Sequence, residues 1–237
     1  MAFLTNDRPI PSSVVTESAG VQLSFLQKVY SLFLLGLVFA FFGAFLMVSN
    51  PGLAMAVLPH WVLGLILYFG VFFGCWALRK VPGVNVVALL AFTFVSGVFI
   101  APAIFVATAN TGSFAVVLEA ATITGSIFVG LTAYTFITKK DFSFLGGIVS
   151  MGLFAIIGIS VVLMIASMFH MNVQGGYLAL SWIGSVLFSL FILYDTSRIM
   201  RTHESDEYVS AALSLYLDCI NLFLMILQIL SNSNRRN

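Results

Sequence analysis

Seven long apolar runs, separated by short polar breaks, occupy most of the chain. A helix of about 20 apolar residues crosses the hydrocarbon core of a bilayer, and each run approaches or exceeds that length. Helices are expected because a backbone inside a bilayer must satisfy its own hydrogen bonds. The pattern therefore predicts an all-α membrane protein with transmembrane helices at residues 25–49, 61–78, 84–107, 114–138, 143–169, 177–199 and 208–230.

The segments outside these runs are short, so we expect a single membrane domain at residues 25–230. Residues 1–24 are polar and lack the apolar core and small-residue cleavage site of a signal peptide. We interpret them as a cytoplasmic N-terminal tail. Residues 231–237 would form a short C-terminal tail.

The positions of Lys and Arg predict the orientation, because short basic loops stay in the cytoplasm. Basic residues flank every second break, while the three alternating breaks contain none. The amino terminus should then be cytoplasmic, and in a bacterium the membrane would be the inner membrane. Seven crossings place the carboxyl terminus outside, where Arg235 and Arg236 oppose the rule unless the last run re-enters the membrane.

Composition supports a membrane protein and argues against several other classes. Hydrophobic residues make up 60% of the chain and charged residues only 8%, which a soluble domain could not bury. The net charge of +1 and the scattered basic residues argue against a nucleic-acid partner. Cys75 and Cys219 lie in apolar runs and form neither a metal-binding pair nor a disulfide framework. We expect no cofactor, and the lipid bilayer is the first predicted partner.

Two acids interrupt the last two apolar runs. Asp195 lies near the end of one run and Asp218 lies well inside the next. A charge in the bilayer core is costly, so such acids normally face a protein interior, a watery cavity or a partner. Their depths differ, since a rise of 1.5 Å per residue puts Asp195 about 6 Å and Asp218 about 15 Å from the cytoplasmic ends. A longer sixth helix would reduce this mismatch.

The last run also carries a polar face. The spacing of three or four residues places Ser210, Ser214, Asp218, Asn221, Met225 and Gln228 on one side of a helix. The preceding run has a similar face with Ser181, Ser185, Ser189 and finally Asp195 or Thr196, and the connection between the two runs is short. We therefore expect the two helices to pack antiparallel with their polar faces together.

Two carboxyl groups in contact cannot both ionise easily, so the pair should titrate as a unit and could sense pH. The alternative is that hydroxyls, amides or an Arg satisfy each acid separately. Arg79, at the cytoplasmic end of the second run, could act as a latch on Asp195 or be an ordinary basic flank. Glu119 could draw a cation to an outer mouth or lie in the interface, and Asn221 is a second candidate for an ion path.

Small residues recur at the spacing of close helix packing, as in the Gly70 and Gly74 pair and in Gly36, Ala40 and Gly43. Packing within one molecule is the favoured interpretation of these residues. The alternative, dimerisation through Gly70 and Gly74, is less favoured, so we expect a monomer.

Several segments together resemble the transmembrane Bax inhibitor motif family, in particular its bacterial pH-sensitive calcium leak channels. The resemblance covers nearly the whole chain and follows the family's order. One departure is a loop between the two acids that is one residue shorter. The matching segments are AFTFVSGVF, VVLE with Glu119, KKDFSFL, LYDTSRI with Asp195, SLYLDCINLFL with Asp218, and the basic end of the second run at Arg79.

This resemblance implies a fold and a mechanism. The last helix would lie at the centre of the other six, and Asp195 and Asp218 would form a di-aspartyl pH sensor. Arg79 would latch the sensor and gate calcium flux, with acidification favouring the open state. Calcium and protons would be the species handled, and the two acids could coordinate a passing calcium ion.

Two other classes of function stay open. The first is a regulator that transports nothing and binds another membrane protein, such as a protease or a cell-death factor. The second, an intramembrane aspartyl protease, also needs two embedded acids. Such proteases resemble this chain less, because they carry Gly-x-Gly-Asp at the second acid whereas Leu217 precedes Asp218 here. We therefore expect that the protein is not an enzyme.

Overall fold

The computed structural model of the protein describes residues 19–201 and 207–233, which contain α-helices and short 3-10 turns but no strand. The N-terminal residues 1–18, part of the predicted tail, and Arg235 and Arg236 lie outside the described residues. The helices are α1 (Ala19–Ser49), α2 (Pro51–Val57), α3 (Trp61–Leu78), α4 (Val84–Thr111), α5 (Ala115–Thr138), α6 (Gly146–Met168), α7 (Gln174–Arg201) and α8 (Tyr208–Ser233).

The predicted runs and the observed helices agree closely but differ at their ends. Helix α1 begins six residues before the predicted start and α7 extends at both ends, because polar side chains at helix ends do not stop a helix. The short helix α2 lies in the break between the first two predicted runs. Proline is tolerated in the first turn of a helix, so Pro51 can begin one. The break after α4 behaves as expected, since Gly112 takes a left-handed φ of 68° and its N–H donates to Thr108 O at 2.8 Å.

Helix α8 forms the centre of the bundle and is the most deeply buried of the long helices. It packs against α1, α4, α5 and α7. Leu215, Tyr216 and Leu222 on α8 are completely buried, and the Tyr216 ring meets Phe92 of α4 edge-on with centroids 6.1 Å apart. In contrast, α6 exposes most of its apolar side chains, as a helix facing lipid would.

Of two predictions about this architecture, one is not confirmed and the other needs correction. Six of the described helices have the length and apolar composition to cross a membrane, so the seventh predicted crossing, at α3, is not confirmed. Four long helices pack closely on α8 in place of the predicted six. Helix α3 packs on α4 and α6 packs on α7, so α4 and α7 occupy the positions next to α8 and keep α3 and α6 on the outside.

The closest helix crossing joins α1 to α4 through glycine. A Cβ atom added at Gly97 would lie 2.0 Å from Ala40 O, and one at Gly43 would lie 2.1 Å from Phe94 O. The predicted packing role of the small residues on the first run is thus confirmed. The same packing prediction is wrong for Gly70 and Gly74. A Cβ atom added at either glycine would have no atom of the described residues within 4 Å.

The helix ends that carry basic residues gather at one end of the bundle, which we call the basic end. Lys28 Nζ lies 5.6 Å from the centre of the Tyr208 ring, and Lys80 forms a 3.0 Å ion pair with Glu207. Arg201 donates a hydrogen bond to the carbonyl of Lys139. These contacts join α1, α7, α8 and the ends of α3 and α5, and the opposite end of the bundle is called the far end.

Candidate functional site

The antiparallel pair α7 and α8 brings the two predicted acids together. Asp195 and Asp218 are 7% and 5% exposed, and their carboxyl groups lie within hydrogen-bonding reach of each other. Helix α7 continues to Arg201, which places Asp195 about 9 Å from its end at 1.5 Å per residue. The longer helix reduces the depth mismatch that the sequence indicated, and the contact between the acids is made.

Two carboxyl groups can hydrogen bond to each other only when one of them carries a proton, since an ionised carboxylate only accepts. When both are ionised they repel each other, so the contact depends on a proton held by the pair. Arg198, three residues further along α7, attracts the Asp195 carboxylate. The arrangement can therefore change its charge and its hydrogen bonding together.

The structure does not bring Arg79 to Asp195. The Arg79 Nη1 atom donates a hydrogen bond to Trp76 O at 2.6 Å, and its guanidinium group lies 4.1 Å from the centre of the Trp76 ring. Both contacts are within the same turn of chain, and α3 lies outside α4. The role of Arg79 as a latch stays a prediction, and Arg198 is the cation beside Asp195 in this conformation.

Three buried hydroxyl groups, one of them next to Asp195 in sequence, face one another between α1, α5 and α7. Tyr30 on α1 faces Thr196, which follows Asp195 on α7, and Thr132 on α5. Among the described residues, the buried side-chain atoms with no hydrogen-bond partner are Tyr30 Oη, Thr132 Oγ1, Thr196 Oγ1 and Asp218 Oδ2.

Buried polar atoms normally find partners in the protein or in ordered water, so a concentration of unpaired oxygens marks a polar site. Sequence reasoning named Thr196 only as a possible member of the α7 polar face and missed Tyr30 and Thr132, because the three hydroxyl groups come from three helices and have no common spacing.

The polar face of α8 meets α7 along much of its length, as the sequence predicted. Ser181 Oγ donates a hydrogen bond to Gln228 Oε1 at 2.7 Å, and Ser181 is completely buried. Between this bond and the acid pair, Met225 packs on Gly184, where an added Cβ atom would lie 2.8 Å from the Met225 sulfur. The two faces therefore form one continuous interface from the far end to the acids.

A cavity of about 810 Å³ opens at the far end between α4, α7 and α8, and we call it the vestibule. Side-chain amides are prominent among its walls, including Asn110, which bonds to Ser231 at 3.0 Å, and Gln174, which bonds to Asn232 at 3.2 Å. Amide oxygens can bind cations weakly without a fixed charge. No spacing along the chain indicated the vestibule, since its walls come from α4, α8, α7 and the segment just before α7, which meet only in the folded chain.

The two candidate ion-path residues lie elsewhere. Glu119 is exposed near the start of α5 and does not line the vestibule. Asn221 is half-buried on α8, three residues beyond Asp218, and its amide donates to Leu217 O at 2.7 Å. The structure thus keeps Asn221 near the acids and separates Glu119 from the vestibule.

These features define a class of protein: a multi-pass helical membrane protein that holds a pair of touching carboxyl groups in its interior. A profile of the family described as "Inhibitor of apoptosis-promoting Bax1" matches residues 22–235. The chain belongs to this Bax inhibitor family, as its motifs had suggested.

Three relatives illustrate the range of the family. Protein lifeguard 4 of Mus musculus is 33% identical, covering 95% of this chain and 92% of the relative. The Golgi anti-apoptotic protein of Vaccinia virus (strain Lister) is 32% identical, covering 95% of this chain and 92% of the relative. Bax inhibitor 1 of Schizosaccharomyces pombe is 32% identical, covering 89% of this chain and 77% of the relative.

Proposed function

We propose that the protein is a pH-sensitive calcium leak channel whose gate responds to protons at Asp195 and Asp218. The observation that carries the proposal is the direct contact of these two buried carboxyl groups between α7 and α8. Because the pair holds or releases protons as a unit, a change in pH changes the charge at the centre of the bundle. No catalytic step is involved.

A change of charge at the pair also changes its interaction with Arg198. An ionised Asp195 attracts the guanidinium group of Arg198, and protonation removes this attraction. Both residues lie on α7, so this attraction does not link α7 to another helix. We take the open state at acidic pH from the leak channels that the chain resembles. For Arg79 to act as a latch, α3 would have to move from its place on α4.

The path that we propose for the ion begins at the vestibule and follows the polar interface of α7 and α8 toward the acids. Amide oxygens at the vestibule and carboxylates at the centre are suitable weak ligands for calcium, a hard cation. Glu119 does not lie on this path, so we assign it no role in conduction. Transient binding suffices, because an ion that binds tightly does not pass.

Seven crossings are part of the proposal. Helix α3 has 18 residues, which span about 27 Å, close to the thickness of the hydrocarbon core. It follows the far end of α1 and leads to Lys80, which is paired with Glu207 at the basic end. A helix that connects the two ends in this way crosses the membrane, with the amino terminus in the cytoplasm and the protein in the cell membrane.

The proposal is tested with purified protein in liposomes that contain a calcium-sensitive dye. The leak should rise on acidification, and Asp195→Asn or Asp218→Asn should flatten the pH dependence. Asp141→Asn is the matched control, because Asp141 is an exposed acid between α5 and α6. If the double variant at Asp195 and Asp218 leaks with the pH profile of the wild type, the sensor assignment is wrong.

A second candidate function is regulation by binding another membrane protein. The names of two relatives, Golgi anti-apoptotic protein and Bax inhibitor 1, refer to inhibition of apoptosis or of Bax, which favours a partner for those proteins. For this chain, removal of residues 1–18 separates the two functions, since those residues precede α1. If the shortened protein loses its partner but keeps its calcium flux, partner binding is assigned to the tail. If the intact protein shows no calcium flux, the regulator is favoured over the channel.

A further inference from the structure

One apolar side chain interrupts the polar face of α8. Ser210, Ser214, Asp218, Asn221 and Gln228 are polar, and Met225 is the exception. Met225 lies seven residues beyond Asp218, which is about 10 Å along the helix axis. Any polar path that follows this face from the far end must therefore pass an apolar side chain before it reaches the acids.

Along the polar face of α8, the vestibule reaches as far as Met225. Gln228 and Met225 both line the cavity, while Asn221 and Asp218, the next members of the polar face, do not. Tyr177 of α7 and Ala103 of α4 form walls on the other sides. Met225 is thus the deepest residue of the α8 polar face that the vestibule reaches, and it stands between the vestibule and the acid pair.

Met225 is held in this position by a glycine on the facing helix. A Cβ atom added at Gly184 would lie 2.8 Å from the Met225 sulfur and 3.1 Å from its Cγ atom. The absence of a side chain at Gly184 leaves the space in which the thioether lies. Met also has three flexible side-chain bonds, so it can leave this space without a change in the backbone.

We propose that Met225, seated on Gly184, is the apolar constriction that closes the path between the vestibule and the acid pair. The inference rests on the proposed function, because it assigns a gate to the same path. An apolar constriction blocks ions by excluding water, and movement of α7 relative to α8 would carry Gly184 away and release it. Met225 acts on the passage of ions and does not itself bind them.

The first experiment measures calcium leak from liposomes at neutral pH. Met225→Ala should raise the leak at least about tenfold, a change of about 1.4 kcal/mol in the closing equilibrium. Met225→Leu, which keeps an apolar side chain of similar size, should stay near the wild type. Met164→Ala on the exposed face of α6 is the matched control for the loss of a Met side chain. An unchanged leak in Met225→Ala overturns the proposal.

The second experiment needs no ion flux and so separates failure of the gate from failure of the proposed function. Asn221→Cys and Gln228→Cys are made singly after Cys75 and Cys219 have been replaced with alanine. A membrane-impermeant maleimide added at the far end should react readily at position 228 and slowly at position 221. Adding Met225→Ala should speed the reaction at position 221 at least about tenfold. Equal reactivity at position 221 with and without Met225 contradicts the constriction, even if the protein conducts no calcium.

Discussion

Replacing Gly97 with alanine should separate α1 from α4 and destabilise the membrane domain. The added Cβ atom would lie 2.0 Å from Ala40 O and 2.7 Å from the Ala40 carbonyl carbon. Both of these are backbone atoms, so no side-chain rotation relieves the contact. The two helices must move apart by about 1.4 Å before this separation reaches 3.4 Å, the lower limit of ordinary van der Waals contact.

The expected cost follows from the extent of this interface. Overpacking a well-packed interior costs about 1–3 kcal/mol, and here the displacement reduces contact along the whole crossing. Gly43→Ala should have a similar effect, because its Cβ atom would lie 2.1 Å from Phe94 O. The double variant should lose less stability than the sum of the losses in the two single variants, because one separation of α1 from α4 relieves both contacts.

Thermal or denaturant unfolding in detergent micelles, followed by circular dichroism, measures the effect. Gly70→Ala is the matched control, because a Cβ atom there would have no neighbour within 4 Å. It makes the same chemical change on a helix that also faces lipid. If Gly97→Ala were as stable as Gly70→Ala, the reasoning would be refuted, because α1 and α4 would not cross at this distance.

Two further predictions concern polar contacts. The hydrogen bond from Ser181 to Gln228 should contribute about 0.6 kcal/mol, and at most about 1.7, in a double-mutant cycle with Ser181→Ala and Gln228→Ala; a coupling energy of zero would mean the bond is not formed. The Ser143 hydroxyl and N–H donate to Asp141 and lower the pKa of that exposed carboxyl. Ser143→Ala should raise this pKa toward its ordinary value, as measured by NMR titration. The stabilising effect of these bonds is present above the ordinary pKa and is lost as pH falls through the lowered one. An unchanged pKa would exclude the side-chain bond.

The tests of the acid pair and of Met225 address different parts of one mechanism. Loss of pH dependence in Asp195→Asn concerns the sensor, while a raised leak in Met225→Ala concerns closure. A variant that lacks Met225 but keeps the acid pair, and that leaks at all pH values, would show that closure and pH sensing depend on different residues. The two positions are about 10 Å apart along α8, so their variants can be combined without direct contact.

The apolar runs determined the approximate positions of the long helices without reference to the rest of the chain. A bilayer imposes a length on each crossing and requires each helix to satisfy its own backbone, so both constraints are local. The spacing of Asp218 and Gln228 similarly fixed the polar face of α8, because a helix has a constant period. The pairing of this face with α7 followed from the short connection between them.

Only the tertiary structure decided which helices surround α8, where Arg79 lies and which glycines make close contacts. Gly70 and Gly74 match the close-packing motif but have no neighbour for a Cβ atom among the described residues, whereas Gly97, with Ala101 four residues on, meets the backbone of α1. Arg79 could be placed near Asp195 only by assuming that their helices were neighbours. These outcomes depend on contacts between residues far apart in the chain, and a local pattern holds no information about which distant surface it will meet.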